Sequence, residues 1–224
     1  MKKTILAVLC LVIALPAFAQ SKVDKRISES TAVLTTLLTK PDGINKTLLA
    51  KAECVLVYPA VRKVAVGIGG TYGRGVLVCR TGKEMNGKWG SPIMYTLDTG
   101  SLGVQLGSTS TDYVMLVMTQ RGADKILSGK LKLGADASAA AGPNAAQANG
   151  FNDPNVDVLT YSQAKGLFAG ASLGSAALGA DDDANEKLYG KPTDAMEIVR
   201  GNAAVPATAA PLVDLLNKMS PEHM

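Results

Sequence analysis

Histidine is almost absent from this 224-residue chain, and its absence excludes more chemistry than any other feature of the composition. The single histidine, His223, stands one residue from the end, in the kind of terminal segment that usually frays. Triads that depend on histidine and most histidine-based metal sites are therefore excluded.

Other catalytic motifs are present only in part. The glycine-rich segment 67–75 is not a nucleotide loop, because Tyr72 replaces the last glycine of G-x-G-x-x-G and no G-K-[ST] follows. Its glycines indicate a bulge or a bend instead. Ser162 and Lys165 have the S-x-x-K spacing of penicillin-recognising enzymes, but the accompanying S-D-N and K-T-G motifs are missing. We expect no enzyme and no cofactor.

The acidic turn at 181–185 resembles the start of a calcium loop but does not complete it. Glu186 replaces the glycine at position six, and Pro192 replaces the glutamate at position twelve. A turn that caps the following segment is the expected role, and a calcium site of another kind is the alternative. The sequence identifies no metal ligands.

Long apolar runs are lacking as well. The run Ile5–Leu15 is shorter than the roughly 20 residues of a membrane span. Two lysines precede it and the small-x-small sequence A-F-A follows it, as in a secretory signal peptide. We therefore expect residues 1–19 to be a signal peptide and 20–224 to be one periplasmic or secreted domain. Its core is expected at about 22–200, with a linker and helix at 201–224.

Only two of the three cysteines remain if the signal peptide is removed. Cys54 and Cys79 would then lie in an oxidising compartment, where a pair of cysteines suggests a disulfide. Two buried free thiols are the alternative, because spacing alone does not show that the side chains meet.

The charges are unevenly distributed along the chain. Residues 20–90 contain 12 basic and 5 acidic side chains, whereas residues 91–224 contain 9 basic and 14 acidic ones. A basic surface suggests an anionic partner, which in the cell envelope is phospholipid or a polyanionic polymer rather than nucleic acid. A solvated surface without a partner is the alternative.

The segment Lys22–Leu38 has the pattern of an amphipathic helix, with Val23, Ile27 and Leu34 near one face and charged residues mostly off it. Such a helix either covers a sheet or lies in a membrane interface, and the two roles are compatible if the helix moves.

The rest of the chain alternates short apolar, β-branched segments with turns. Strands are predicted at 54–58, 61–66, 76–80, 93–97, 101–106, 112–119 and 156–161. Further helices are predicted at 44–52, 121–127, 193–199 and 212–219. The pattern favours a single α+β domain with an antiparallel, β-rich, closed or half-closed barrel and flanking helices.

The segment Gly166–Gly190 is poor in bulky side chains until its acidic turn. Small residues allow close approach of backbones, as in a tightly curved sheet. A buried helix with small faces is the competing interpretation, since periodicity alone does not separate the two.

Three blocks of sequence, 65–80, 112–141 and 161–190, together resemble the SYLF domain, a lipid-binding module of bacterial envelope proteins and eukaryotic membrane-trafficking and actin adaptors. The resemblance covers roughly 22–200. It implies binding of phosphoinositides or other anionic lipids, and F-actin binding in the yeast members. An N-terminal amphipathic helix and basic side chains are implied to contact lipid; the matching residues here are the 22–38 helix, Arg62, Lys63, Arg74 and Lys165.

We therefore expect an exported, non-enzymatic domain that binds anionic phospholipid. The expected lipid-binding residues are Lys22, Lys25, Arg26, Ile27, Leu34, Arg62, Lys63, Arg74 and Lys165. The helix would insert shallowly through Ile27 and Leu34. The alternatives are a structural or protein-interaction module of the envelope, with actin as a partner only by resemblance, and a lipid carrier that uses the barrel interior.

Overall fold

The chain folds as the α+β domain that its sequence predicts. The computed structural model describes residues 21–41, 43–66, 68–101, 107–141, 156–164, 167–170, 176–221 and 223. The helices in this part are α1 (Lys22–Thr39), α2 (Lys46–Ala50), α3 (Gln120–Leu127), α4 (Asp182–Tyr189), α5 (Ala195–Arg200) and α6 (Ala210–Met219). The strands are β1 (Cys54–Val66), β2 (Ile68–Arg80), β3 (Trp89–Ser101), β4 (Gly107–Val117), β5 (Lys130–Lys132), β6 (Ala139–Ala141), β7 (Val158–Ala164), β8 (Leu167–Gly170) and β9 (Ala177–Ala180).

All nine strands belong to one sheet, which forms the half-closed barrel. The strand order is β5-β9-β3-β2-β1-β4-β7-β6, with β8 also paired to β7. The strand pairs in the described part of the chain are antiparallel, except that β6 runs parallel to β7. Within the described chain the end strands β5 and β6 do not pair with each other, so this part of the sheet is open.

Both faces of the sheet are buried, which explains why its central strands lack a polar side. On one face, Val55, Val57 and Val114 pack with side chains of α1, α2 and α6. On the other, Leu56 and Met115 pack with side chains of α3 and α5. Alternate side chains of a strand point to opposite faces, so a strand covered on both sides becomes a continuous apolar run. The strand predicted at 112–119 is largely part of β4, which lies between β1 and β7 and has this apolar character.

The small-residue segment 166–190 contributes two short strands rather than a long buried helix. Strands β8 and β9 lie within it, and the acidic turn begins α4. Asp181 is the N-cap residue, and its side chain accepts a hydrogen bond from the backbone of Ala184 at 3.3 Å. The curved-sheet interpretation and the capping role are therefore confirmed where the structure describes this segment.

Two of the predicted strands differ from the structure or lie largely outside its described residues. The break expected at Pro59 is wrong, because β1 continues through this residue to Val66. The strand expected at 101–106 lies mostly outside the described residues, and Ser101 ends β3.

A basic cleft beside the first helix

A cavity of about 490 Å³ lies between the first two turns of α1 and the middle of β1 and β2. We call it the basic cleft. The charged side chains that line it are Lys22, Lys25, Arg26, Glu29, Arg62 and Arg74, and Tyr72 lies beside them. Five cationic groups and one carboxylate thus line the cleft, and the cationic groups come from three separate segments of the chain.

Helix α1 supplies the first three cations from its N-terminal turns. Lys22, Arg26 and Glu29 follow one another at spacings of three or four residues, which places them on neighbouring parts of one helix face. The first turn is fixed by a capping box: Ser21 Oγ accepts from the Asp24 backbone at 3.0 Å, and Asp24 accepts from the Ser21 backbone at 3.3 Å. The positive end of the helix dipole adds to the potential at this position.

A β-bulge in β1 brings Arg62 into the cleft. Val57 pairs with Val76, but Arg62 pairs with Tyr72, so β1 contains one extra residue between these pairs. The extra residue reverses the alternation of side chains, and it moves Arg62 to the face that carries α1. Ala60 has a φ of 51° in the bulge, and its backbone N–H donates to Asp112 Oδ1 at 2.8 Å.

The glycines of β2 make room for this bulge. A Cβ atom added to Gly75 would lie 2.3 Å from the carbonyl oxygen of Val57 and 2.4 Å from Tyr58 Cδ1. The bulge expected within segment 67–75 therefore lies in the neighbouring strand, and the glycine allows that strand to approach closely.

Tyr72 and Arg74 form the β2 side of the cleft. The Arg74 guanidinium donates from Nε to the Tyr72 hydroxyl and lies 5.7 Å from the centre of its ring. This hydrogen bond raises the pKa of Arg74, so the guanidinium group stays protonated and positively charged. Tyr72 is a large hydrophobic side chain with 44% of its surface exposed.

Asp181 lies beneath the cleft and contacts two of its guanidinium groups. Its Oδ2 atom is 2.9 Å from Arg26 Nη1 and 3.8 Å from Arg74 Nη1. The side chains of Arg26 and Asp181 are only 8% and 9% exposed. The contact therefore joins α1, β2 and the start of α4 through one buried carboxylate.

The structure brings five of the nine predicted lipid-binding residues together, namely Lys22, Lys25, Arg26, Arg62 and Arg74. Lys63 follows Arg62 in β1 and therefore points to the opposite face of the sheet. Lys165 lies outside the described residues. Sequence reasoning missed Glu29, Tyr72 and Asp181, because their roles depend on strand register and on a contact across 155 positions of sequence.

The predicted insertion of Ile27 and Leu34 into lipid does not fit the folded domain. Both side chains are completely buried in the core between α1 and the sheet. Insertion would keep Ile27 and Leu34 in an apolar environment, but it would remove α1 from the sheet and expose to water the apolar side chains that it covers, such as Val55 and Val57. Covering the sheet is the role that α1 has in this structure.

Cys54 and Cys79 are joined by a disulfide and lie directly opposite each other in β1 and β2. Both belong to the core cluster on the face away from α1. The bond therefore links the two strands that carry Arg62 and Arg74, from the side opposite the cleft.

Comparison with known proteins agrees with the resemblance in the sequence. The family described as "Ysc84: Las17-binding protein actin regulator" matches residues 98–219. The chain belongs to this Ysc84 (SYLF) family. The cationic residues of the basic cleft precede the matched range, whereas Asp181 lies inside it.

The Ysc84 relatives include several longer eukaryotic proteins. An SH3 domain-containing protein of Schizosaccharomyces pombe is 33% identical over 167 residues, which is 72% of this chain and 38% of that protein. Protein YSC84 of Saccharomyces cerevisiae is 30% identical over 161 residues, covering 70% of this chain and 34% of its own length. The human SH3 domain-containing YSC84-like protein 1 is 26% identical over 195 residues, 84% of this chain and 56% of its own. The chain thus spans a third to about half of these relatives. No solved structure matches it.

Among the residues that the structure describes, no helix has both the length and the apolar character needed to cross a membrane.

Proposed function

We propose that this domain is exported and binds the anionic headgroups of phospholipids in the basic cleft, as a binding protein rather than an enzyme. The observation that carries the proposal is the convergence of five cationic side chains from α1, β1 and β2 around one cavity. Export rests on the signal-peptide pattern of residues 1–19, and the non-enzymatic role rests on the incomplete catalytic motifs.

The chemistry of the lining suits a phosphate group. Arginine presents several N–H donors in a planar fork that matches phosphate oxygens, and three of the five cations are arginines. A lysine or arginine near an anionic membrane contributes about 1 kcal/mol. The four accessible cations, Lys22, Lys25, Arg62 and Arg74, would together contribute about 4 kcal/mol by this rule.

The domain would bind with α1 in place. The basic N-terminal turns of α1 and the side chain of Arg74 in β2 face the cleft while the apolar side of α1 stays in the core. Headgroup binding therefore does not require the helix to detach. Tyr72 at the edge of the cleft has the amphipathic character of side chains that lie at membrane interfaces. This arrangement replaces the shallow insertion of α1 that the sequence alone suggested.

The direct test is co-sedimentation with vesicles of phosphatidylcholine alone or with added phosphatidylglycerol. We expect binding only to the anionic vesicles, weakening as salt is raised. The double variant Arg62→Gln/Arg74→Gln should bind about 30-fold more weakly, since two contacts of about 1 kcal/mol each are lost.

The matched control is Lys83→Gln/Lys88→Gln, which removes the same charge from two exposed residues of the β2–β3 turn. We expect it to change affinity by less than threefold. Equal losses in both double variants would show that net charge, and not the cleft, controls binding. Binding that ignores lipid charge and salt would contradict the electrostatic mechanism altogether.

A protein-interaction module is the second candidate, and the family description favours it. That description and the name of a budding-yeast relative, LAS seventeen-binding protein 3, refer to binding of Las17, and the family description also names actin regulation. Co-sedimentation with actin filaments tests this candidate. Filament binding together with indifference to anionic vesicles would support it over the lipid proposal.

The third alternative, a carrier that holds lipid inside the barrel, is not favoured by the described part of the chain. Core side chains occupy the space on both sides of the central strands, including Tyr58 and Tyr95 on one face and Met94 on the other.

A further inference from the structure

The carboxylate of Asp181 beneath the basic cleft is placed to compete with an anionic ligand for the arginines of the cleft. Asp181 Oδ2 accepts a hydrogen bond from Arg26 Nη1 at 2.9 Å and lies 3.8 Å from Arg74 Nη1. Both arginines also line the cavity. A phosphate that enters the cleft therefore meets two arginines whose charges Asp181 already compensates in part.

The burial of Asp181 makes this compensation strong. Its side chain is 9% exposed, and that of Arg26 is 8% exposed, so water screens the pair poorly. The neighbouring carboxylates differ: Asp182 and Asp183 are both exposed on the first turn of α4. Of these three acids, only Asp181 lies at hydrogen-bonding distance from a cleft arginine among the contacts that the structure describes.

We propose that Asp181 is an internal counter-ion that sets the anion affinity of the basic cleft. The inference rests on the proposed function, because it assumes that the cleft is where the anionic headgroup binds. The incoming phosphate competes with Asp181 for the N–H group of Arg26 that donates to Asp181 in the free protein, and for the nearby positive charge of Arg74. Asp181 thus makes the empty cleft stable and its affinity for anions moderate.

Asp181 also has a structural role, which the test must preserve. Its side chain caps α4 by accepting from the backbone of Ala184. Asparagine caps helices about as well as aspartate, and its carbonyl oxygen can still accept from Arg26. The substitution Asp181→Asn therefore removes the charge while it keeps the cap. Asp182→Asn is the matched control, since it makes the same change of net charge one residue away on the surface.

The experiment measures the dissociation constants of wild type, Asp181→Asn and Asp182→Asn for vesicles of phosphatidylcholine with phosphatidylglycerol. We expect Asp181→Asn to bind about tenfold more tightly than wild type, because a poorly screened like charge next to the ligand is removed. Asp182→Asn should bind within about twofold of wild type, because its charge is exposed and screened. If Asp181→Asn does not fold, Asp181→Ser provides the same loss of charge with another good capping residue.

The outcomes separate this inference from the proposed function. If wild type binds and the Asp181 variant binds no more tightly than Asp182→Asn, the counter-ion role is wrong while the cleft can still be the lipid site. If wild type does not bind but the Asp181 variant does, the counter-ion role is supported. If neither protein binds, the proposed function fails and the inference fails with it.

Discussion

Individual ionisable residues near the end of β2, among them Arg80 and Glu53, form a cluster that is separate from the basic cleft. Arg80 is completely buried, donates to Ser220 Oγ at 2.7 Å and to the Ala52 carbonyl at 3.1 Å, and stacks on Trp89 at 4.3 Å. Glu53 lies in the same region, with its Oε2 atom 3.6 Å from His223 Nε2. Burial raises the pKa of Glu53 from 4.5 to about 7, against the opposing effect of Arg80. Unlike the cleft, this cluster ties the C-terminal segment to the sheet.

The raised pKa of Glu53 predicts a pH-dependent stability. A carboxyl whose pKa is higher in the folded state stabilises the fold while it is protonated, and that contribution is lost as pH rises from about 4.5 through about 7. The variant Glu53→Gln should thus have about the same free energy of unfolding as wild type near pH 4.5. At pH 8 it should be more stable by up to about 3 kcal/mol. Chemical denaturation of both proteins across this pH range measures the difference.

Protonation of His223 has the opposite effect on stability. Burial lowers the pKa of this side chain, so its protonation destabilises the folded state at low pH. The quantity to compare is therefore the difference in free energy of unfolding between Glu53→Gln and wild type at each pH, because the pH profile of either protein alone also contains the effect of His223. A difference that stays constant from pH 5 to pH 8 would contradict the raised pKa.

At the scale of elements, α1 combines two functions on two sides. Its apolar side closes the core, through residues such as Ile27, Leu34 and Leu37, and its basic N-terminal turns form one wall of the cleft. The amphipathic pattern predicted the helix correctly, because that pattern is local. It did not decide whether sheet or lipid covers the apolar side, since both environments are apolar.

Truncation of one core side chain of α1 separates these two roles. We expect Leu34→Ala to lower the free energy of unfolding by about 2–5 kcal/mol, because the side chain is completely buried. Its affinity for anionic vesicles should remain within about twofold of wild type at temperatures where the variant is folded. Thermal denaturation and vesicle co-sedimentation together measure both effects.

The control for that substitution is Ala32→Ser, a small change at an exposed position of the same helix. It should alter stability by less than about 1 kcal/mol. A Leu34→Ala protein that keeps its stability but no longer binds vesicles would show that this side chain contacts lipid, and that the protein does not bind with α1 docked on the sheet.

At the scale of the whole molecule, the uneven distribution of charge along the sequence corresponds to one basic cleft on the surface of the fold. All five cations of the cleft come from the basic segment 20–90, and the carboxylate beneath them comes from the acidic remainder. The α+β class, the half-closed barrel and most strands could be predicted from apolar patterns, because these depend on neighbours in sequence.

The composition of the cleft could be predicted only in part. The sequence shows that residues 62 and 63 are both basic, but the bulge at Ala60 decides that Arg62 and not Lys63 faces α1. The sequence predicts a capping role for the turn at Asp181 but not its contact with Arg26, because that contact depends on the pairing of β9 with β3. Register and strand order are long-range properties, and no local pattern encodes them.

Binding of an anionic headgroup in the basic cleft can be tested directly by NMR titration of the folded protein with short-chain, water-soluble phosphatidylglycerol, following the side-chain Nε–H resonances of arginine. We predict that the signals of Arg26, Arg62 and Arg74 shift together with one dissociation constant, while that of Arg200, exposed on α5, stays in place. Shifts spread evenly over all of these arginines, or none in the three cleft arginines, would contradict binding in the cleft.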